Sequence, residues 1–227
     1  MAALDNIYIH MDNVKSEYNI QGVFEVHITV ECITDEDLSL FLERCEVNNV
    51  KPIIIELSKG DYARQVMTSS FIVGHYKDDI LQKAKNLANV MFGDTSLKTK
   101  IKRLKIESLA RNPGVPLDTN PETDKYFEFH YKIALQDKEN DKSEYNLVKD
   151  LVKGYDGRLS RNAFKKVEGA KHYFITKRVH SAGQVKAFEE YNELKNVLAD
   201  NGYPVLKSEA EFVVYDSNYN LDSGWTE

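Results

Sequence analysis

Alternating apolar and polar positions mark two matching stretches of the chain, FEVHITV at residues 24–30 and FEFHYKI at residues 127–133. In each stretch an apolar side chain occurs at every second position, which is the period of a β-strand with one buried face. The intervening positions carry an acid and then a histidine, followed by threonine in the first stretch and lysine in the second. The pattern predicts two strands that each place a histidine on a polar face.

The same order of elements is predicted after each of these strands. A capping-box pattern, Thr34 with Asp37, begins a short helix in the first half. A longer helix in each half has apolar residues at i, i+4, i+7 and i+11 and ends near a glycine, Gly93 or Gly202. These apolar residues are Ile80, Ala84, Leu87 and Met91 in the first half and Ala187, Tyr191, Leu194 and Leu198 in the second. With the remaining β-rich runs, the order strand–helix–strand–strand–helix–strand is predicted twice.

This repeated order predicts an α+β protein formed by tandem duplication of a ferredoxin-like βαββαβ unit. The proline-rich stretch ARNPGVPLDTNPETD separates the two copies. The predicted divisions are an N-terminal extension at 1–20, a first half at 21–109, a linker at 110–124, a second half at 125–217 and a polar tail at 218–227. Because duplicated units commonly pack sheet against sheet, we expect two antiparallel sheets that face a shared cleft.

Polar residues of the first and last strands are expected on one face, since these strands are neighbours in a ferredoxin-like unit. The prediction places His27 near Lys105 and Glu107. It places His130 near Glu209 and Glu211. Further candidate substrate-binding residues on these faces are Arg103, Thr176, Arg178 and Lys207.

A solvated sheet face is the simpler explanation of such charges. Opposite charges on neighbouring strands add about 0.2–1 kcal/mol per pair without any function. A solvated face has no need, however, of histidine at equivalent positions in both halves. The paired histidines therefore favour a functional site.

Composition limits the classes of partner. The chain has 227 residues and a formal net charge of −6, which argues against nonspecific duplex nucleic acid and an anionic membrane. The two cysteines, Cys32 and Cys45, form no CxxC pair, so no zinc motif is predicted and a reducing compartment is expected. We predict no signal peptide, because the N-terminal segment lacks a basic stretch followed by an apolar core, and no membrane helix, because no apolar run approaches about 20 residues. The expected location is the cytoplasm, and the sequence indicates no particular protein partner.

The residues His27-Ile28-Thr29, a His-x-Thr on a strand of a duplicated α+β chain, resemble the two-histidine phosphoesterase superfamily. That family has two lobes with one His-x-Thr/Ser motif each; its histidines act as general base and acid on a phosphodiester, and its hydroxyls hold phosphate oxygens. The resemblance implies a phosphoesterase-like hydrolase without metal or other cofactor, with His27 and His130 as the acid–base pair and Thr29 as a phosphate donor. The second motif departs from the family, since Lys132 stands where the hydroxyl is expected, although lysine can also bind phosphate. The implied ligand is a phosphate-bearing nucleotide, RNA end or small molecule.

Two other functions remain open. A two-histidine, two-carboxylate set of this kind can bind a divalent metal with positions left open for substrate. Its members would be His27, Glu107, His130 and Glu211. The other possibility is a non-catalytic module that binds a ligand or a protein, which would suit exposed aromatic residues such as Tyr8, Tyr126 and Tyr131.

Overall fold

The structure, a computed structural model, describes residues 18–60, 62–117, 125–136, 143–162 and 170–225. Its fold is α+β, which confirms the predicted class. The strands of this part of the chain are β1 Gln21–Val30, β2 Lys51–Leu57, β3 Arg64–His75, β4 Ile101–Leu109, β5 Tyr126–Gln136, β6 Gly157–Asn162, β7 Ala170–His180 and β8 Lys207–Asp216. Its α-helices are α1 Asp35–Val47, α2 Leu81–Phe92, α3 Ser143–Lys153 and α4 Gln184–Asp200. Among these described segments, no helix has both the length and the apolar run that crossing a membrane requires.

The chain forms two compact units, and two of the boundaries between them fall inside β2 and β8. Unit 1 is built from the described residues within Met1–Ile54, Gln65–Val115 and Val213–Leu221. Unit 2 is built from those within Ile55–Arg64, Pro116–Phe212 and Asp222–Glu227. In unit 1 the neighbouring strands follow the order β2–β3–β1–β4, with β1 antiparallel to both β3 and β4. In unit 2 the order is β6–β7–β5–β8, with β7 antiparallel to both β5 and β6.

The apolar core of unit 1 lies on one face of β1. From Phe24 to the end of this strand every second residue is fully buried, as the alternation predicts: Phe24, Val26, Ile28 and Val30. The apolar sides of α1 and α2 are buried too, and the rings of Phe41 and Phe92 stack with their centroids 6.0 Å apart. These helices therefore cover the apolar side of the strand and leave its opposite side for polar residues.

As in unit 1, the core of unit 2 is formed by one face of a strand and by two helices. Its fully buried strand residues are Phe127, Phe129, Tyr131 and Ile133 on β5. The buried helix residues are Val148 and Val152 on α3 and Ala187, Leu194 and Leu198 on α4. The ring of Phe129 packs against that of Tyr191 with centroids 5.1 Å apart.

The predicted capping box begins α1. The hydroxyl of Thr34 accepts the backbone N–H of Asp37 at 3.1 Å, and the carboxylate of Asp37 accepts the backbone N–H of Thr34 at 3.2 Å. The same carboxylate binds Nζ of Lys100 at 2.6 Å, which ties the start of the helix to the residue before β4. The end of α2 at Gly93 also agrees with the sequence prediction.

Replacing Thr34 with alanine should destabilise the protein by about 1 kcal/mol, because the first turn of α1 loses an acceptor for one of its unpaired N–H groups. Urea unfolding of the variant and the parent measures this difference. The control is Thr99→Ala, an exposed threonine whose hydroxyl bonds the carbonyl of Ser96. Equal stability of the Thr34 and Thr99 variants would contradict the proposed contribution of the cap.

Candidate functional site

The polar residues of unit 1 lie in rows across three neighbouring strands, β3, β1 and β4. Residues opposite each other in antiparallel strands share a face, and successive residues on that face are two positions apart. The strand register gives three rows, which are Phe71–Glu25–Glu107, Ser69–His27–Lys105 and Met67–Thr29–Arg103. We call this side of the sheet the His27 face. It brings together His27, Lys105 and Glu107, three of the residues singled out in the sequence.

Most polar residues of the His27 face are buried. Arg103, Lys105 and Glu107 are 4%, 6% and 1% exposed, and Thr29 is buried as well. A solvated sheet face is therefore wrong as an explanation of these charges. Ionised groups that are removed from water need charged or hydrogen-bonding partners, so the contacts among these side chains decide their chemistry.

The imidazole ring of His27 is held from both sides. Its Nδ1 lies 2.8 Å from the backbone carbonyl oxygen of Thr68 on β3. Its Nε2 lies 2.9 Å from Oε2 of Glu107 on β4 and 3.6 Å from Oε1 of Glu25 on β1. The hydroxyl of Thr68 accepts the backbone N–H of Ile28 at 3.0 Å, which fixes the threonine that orients the ring.

These partners require a proton on both ring nitrogens of His27. A carbonyl oxygen only accepts, so Nδ1 donates to Thr68, and a carboxylate only accepts, so Nε2 donates to Glu107. Burial and the positive charge of Lys105 lower the pKa of His27, because both disfavour the charged ring. The hydrogen bond to Glu107 and the negative charges of Glu107 and Glu25 raise it. The second group of effects is larger, so the pKa of His27 is raised above 6.5. Its nearby carboxylates thus favour the protonated ring of His27.

The raised pKa makes the contribution of His27 to stability dependent on pH. That contribution is fully present below the unfolded-state pKa of about 6.5 and is lost as the pH rises through the folded-state pKa. The excess stability of the parent over a His27→Gln variant should therefore decrease as the pH is raised above 6.5. Urea unfolding over a pH series measures it, with the exposed His75→Gln as control. If the difference in the free energy of unfolding between the parent and His27→Gln does not change with pH, the raised pKa of His27 is contradicted.

Arg103 and Lys105, on the His27 face, both bind carboxylates. Arg103 donates to Asp216 through two nitrogens, with Nε 2.8 Å from Oδ1 and a second bond from the terminal nitrogen to Oδ2. Lys105 Nζ is 2.6 Å from Oε1 of Glu107. A ligand phosphate would have to compete with these carboxylates for the same N–H groups.

Unit 2 repeats the arrangement around His130, with one difference. Its Nε2 lies 3.2 Å from Oε1 of Glu128 and 3.6 Å from Oε2 of Glu211. Its Nδ1, however, lies 2.9 Å from the hydroxyl oxygen of Thr176. A hydroxyl can donate as well as accept, so a neutral ring with its proton on Nε2 satisfies every one of these contacts. The hydroxyl beside His130 can thus donate or accept, whereas the carbonyl beside His27 can only accept.

Arg178 is a buried cation of unit 2 that also binds carboxylates. Its Nε donates to Oε2 of Glu128 at 2.6 Å, and its terminal nitrogen donates to Oδ2 of Asp222 at 2.5 Å. Its guanidinium carbon lies 5.1 Å from the centre of the Tyr126 ring. Burial opposes the charge, but Glu128 and Asp222 raise the pKa of Arg178. Arg178 therefore fixes the carboxylate that faces His130.

The remaining predicted residues lie in other surroundings. Lys207 and Glu209, at the exposed start of β8, bond to each other with Nζ and Oε1 2.5 Å apart. Of the two acids predicted beside His130, Glu211 has its Oε2 3.6 Å from Nε2 of the histidine. Lys132 is half-buried on β5, where it is opposite Phe174 on β7.

Glu25 and Glu128 are site residues that the sequence prediction did not select. Each lies two positions before its histidine, and the pattern Phe-Glu-x-His is common to both strands. The carboxylate of Glu25 also accepts the hydroxyl of Ser69 at 2.5 Å. The repeated glutamate was thus a usable signal, since residues at i and i+2 share a strand face.

Comparison with known proteins gives no family. No protein-family model matches the chain, and no curated protein matches it. Among solved structures, a heme-binding protein from Thermus thermophilus is similar over 86% of this chain and 92% of that chain, with 10% identity and a TM-score of 0.24. At that TM-score the likeness supports no conclusion about fold or function.

Proposed function

We propose that the protein is a phosphoesterase-like enzyme in which His27 is the general acid, acting without metal on a phosphate-bearing nucleotide, RNA end or small molecule. The observation that carries the proposal is the placement of His27 between the Thr68 carbonyl and the Glu107 carboxylate. A general acid must hold its proton at the working pH, and an imidazolium with a raised pKa meets this requirement.

The partners of His27 suit a proton donor. Thr68 fixes the ring through Nδ1, so the proton available for transfer is the one on Nε2. Loss of that proton leaves a neutral ring beside Glu107, whose negative charge Lys105 still compensates at 2.6 Å. The side chain of His27 is 14% exposed, so it is not sealed from solvent or from a ligand.

His130 is the candidate general base of this proposal. In a neutral His130 with its proton on Nε2 the basic nitrogen is Nδ1, which lies 2.9 Å from the Thr176 hydroxyl, so a substrate proton would reach the ring through that hydroxyl. Glu128 and Glu211 near Nε2 would stabilise the charge that the ring gains on accepting a proton. The proposal therefore gives the acid role to His27 and the base role to His130.

Turnover of 2′,3′-cyclic nucleotides with and without a chelator tests the proposal. We expect turnover that survives chelation, with no stoichiometric transition metal in elemental analysis of the purified protein. Loss of turnover on chelation, restored by a divalent metal, would replace the proposal with a metal-dependent enzyme. Absence of turnover under both conditions would leave a non-catalytic binding module.

We also infer that the two halves arose by tandem duplication of a ferredoxin-like unit. Three features support this: the repeated element order, the matching strand orders β2–β3–β1–β4 and β6–β7–β5–β8, and the shared Phe-Glu-x-His pattern. An experimental structure in which the two halves do not superpose with His27 on His130 would contradict the duplication.

A further inference from the structure

Two buried residues near the end of the chain, Asp222 and Trp225, hold the polar tail in unit 2. Their exposed fractions are 3% and 4%. The indole N–H of Trp225 donates to the carbonyl oxygen of Leu159 at 3.3 Å, and the backbone carbonyl of Trp225 accepts Nε of Arg158 at 3.1 Å. Because these contacts fix the tail beside β6, the carboxylate of Asp222 is also given a fixed position.

Asp222 begins a series of contacts that ends at His130. Its Oδ2 accepts Nη2 of Arg178 at 2.5 Å, and Nε of the same guanidinium donates to Oε2 of Glu128 at 2.6 Å. The other oxygen of Glu128, Oε1, lies 3.2 Å from Nε2 of His130, which is within hydrogen-bonding distance. All four residues belong to unit 2. Two side chains thus connect a residue of the tail to the histidine.

The arginine–aspartate pair of unit 1 shows a different use of the same donors. Arg103 donates to Asp216 through both Nε and Nη2. These two N–H groups form a fork that matches the two oxygens of one carboxylate. Arg178 instead donates from Nε to Glu128 and from Nη2 to Asp222. Asp222 therefore competes for the donor that would otherwise draw the second oxygen of Glu128 to the arginine.

We propose that Asp222 is a positioning residue for the general base: it keeps Glu128 turned toward His130 and so fixes the proton of the neutral ring on Nε2. This rests on the base role that the proposed function gives to His130. A carboxylate only accepts, so Glu128 favours the ring that carries its proton on Nε2. The lone pair is then on Nδ1, 2.9 Å from the Thr176 hydroxyl, where the base accepts its proton.

Nitrogen-15 NMR of the histidine rings tests the positioning without requiring turnover. At a pH where the ring is neutral, the parent should show one protonated and one unprotonated nitrogen for His130, and loss of these signals in His130→Gln assigns them. In Asp222→Asn a neutral amide binds Nη2 more weakly than a carboxylate does, so Glu128 should turn toward Arg178. The two nitrogen signals should then move toward each other, because the proton is shared between Nδ1 and Nε2.

Asp216→Asn is the matched control, because it removes the charge of the buried aspartate that binds Arg103 and should leave the His130 signals unchanged. Circular dichroism measures whether each variant is folded. If Asp222→Asn does not fold, Trp225→Ala, which loosens the tail but keeps the aspartate, is measured in its place. Signals of His130 that match the parent in the folded variant would overturn the inference, and so would an equal change in Asp216→Asn.

Turnover separates this inference from the proposed function. With a 2′,3′-cyclic nucleotide as substrate, Asp222→Asn should lower kcat by up to about 100-fold, the cost of a misplaced catalytic group, and should leave KM unchanged. Turnover that depends on His130, with NMR signals of Asp222→Asn that match the parent, would overturn the positioning and leave the phosphoesterase. Altered NMR signals in Asp222→Asn, with no turnover by the parent, would do the reverse.

Discussion

Replacing Asp216 with alanine is expected to destabilise the protein by about 3–5 kcal/mol, the usual cost of removing one member of a buried ion pair. The side chains of Arg103 and Asp216 are 5% and 7% exposed, and two nitrogens of the guanidinium bind the carboxylate. The same carboxylate accepts the backbone N–H of Asn218 at 3.0 Å, so the substitution also frees the chain that follows β8. Urea unfolding measures the loss.

Two further variants make this result specific. Asp216→Asn keeps the size of the side chain but not its charge, so its free energy of unfolding should lie between those of the parent and of Asp216→Ala. It also provides a folded variant if Asp216→Ala does not fold. Asp94→Ala removes the carboxylate of another arginine–aspartate pair, that of Arg44, in which Asp94 is 73% exposed. Solvent screens an exposed pair, so its removal should cost far less. Similar losses for Asp94→Ala and Asp216→Ala would contradict the importance of burial.

The faces of the strands were predictable because they depend on a local rule. Side chains alternate along a strand, so Phe24, Val26 and Ile28 separate from Glu25 and His27 whatever the rest of the chain does. The capping box of α1 was predictable for the same reason, since Thr34 and Asp37 are three residues apart. The proximity of His27 to Glu107 followed from one further assumption, that the first and last strands of the unit are neighbours.

The burial of the His27 face was not predictable from alternation. The pattern separates two faces, but whether water reaches the polar one depends on packing between segments distant in the chain. Arg103 and Asp216 are 113 residues apart, and Arg178 and Asp222 are 44 residues apart. The sequence therefore identified the arginines as candidate phosphate ligands without showing that aspartates already bind them.

The difference between the two histidines was also hidden in the sequence. A threonine on the third strand of each unit contacts Nδ1, yet Thr68 does so with its carbonyl and Thr176 with its hydroxyl. The carbonyl requires a donor, while the hydroxyl can adapt to a neutral or a charged ring. Backbone geometry and not residue type therefore distinguishes the Nδ1 contact of His27 from that of His130.

Replacement of His27 by glutamine should lower kcat for 2′,3′-cyclic nucleotides about 10²- to 10⁴-fold, the contribution typical of a positioned general acid. Glutamine can still donate to a carbonyl or a carboxylate, so the buried contacts are partly kept while the transferable proton is lost. The turnover of the parent should fall as the pH rises through the raised pKa of His27, and the residual turnover of His27→Gln should lack that decline. The exposed His75→Gln should retain both the rate and the pH profile of the parent.

The pH profile distinguishes a proton donor from a residue that only supports the sheet. If His27 has only a structural role, turnover should fall in proportion to the loss of folded protein. The turnover of the protein that remains folded should then still decrease as the pH rises. Circular dichroism and unfolding of His27→Gln at the assay pH measure the folded fraction. His27 takes no part in the reaction if His27→Gln turns over substrate as fast as the parent. The same conclusion follows if the turnover of His27→Gln falls only in proportion to its folded fraction and still decreases as the pH rises. The cluster of Glu25, His27, Lys105 and Glu107 would then be a buried ion network whose charges stabilise one another.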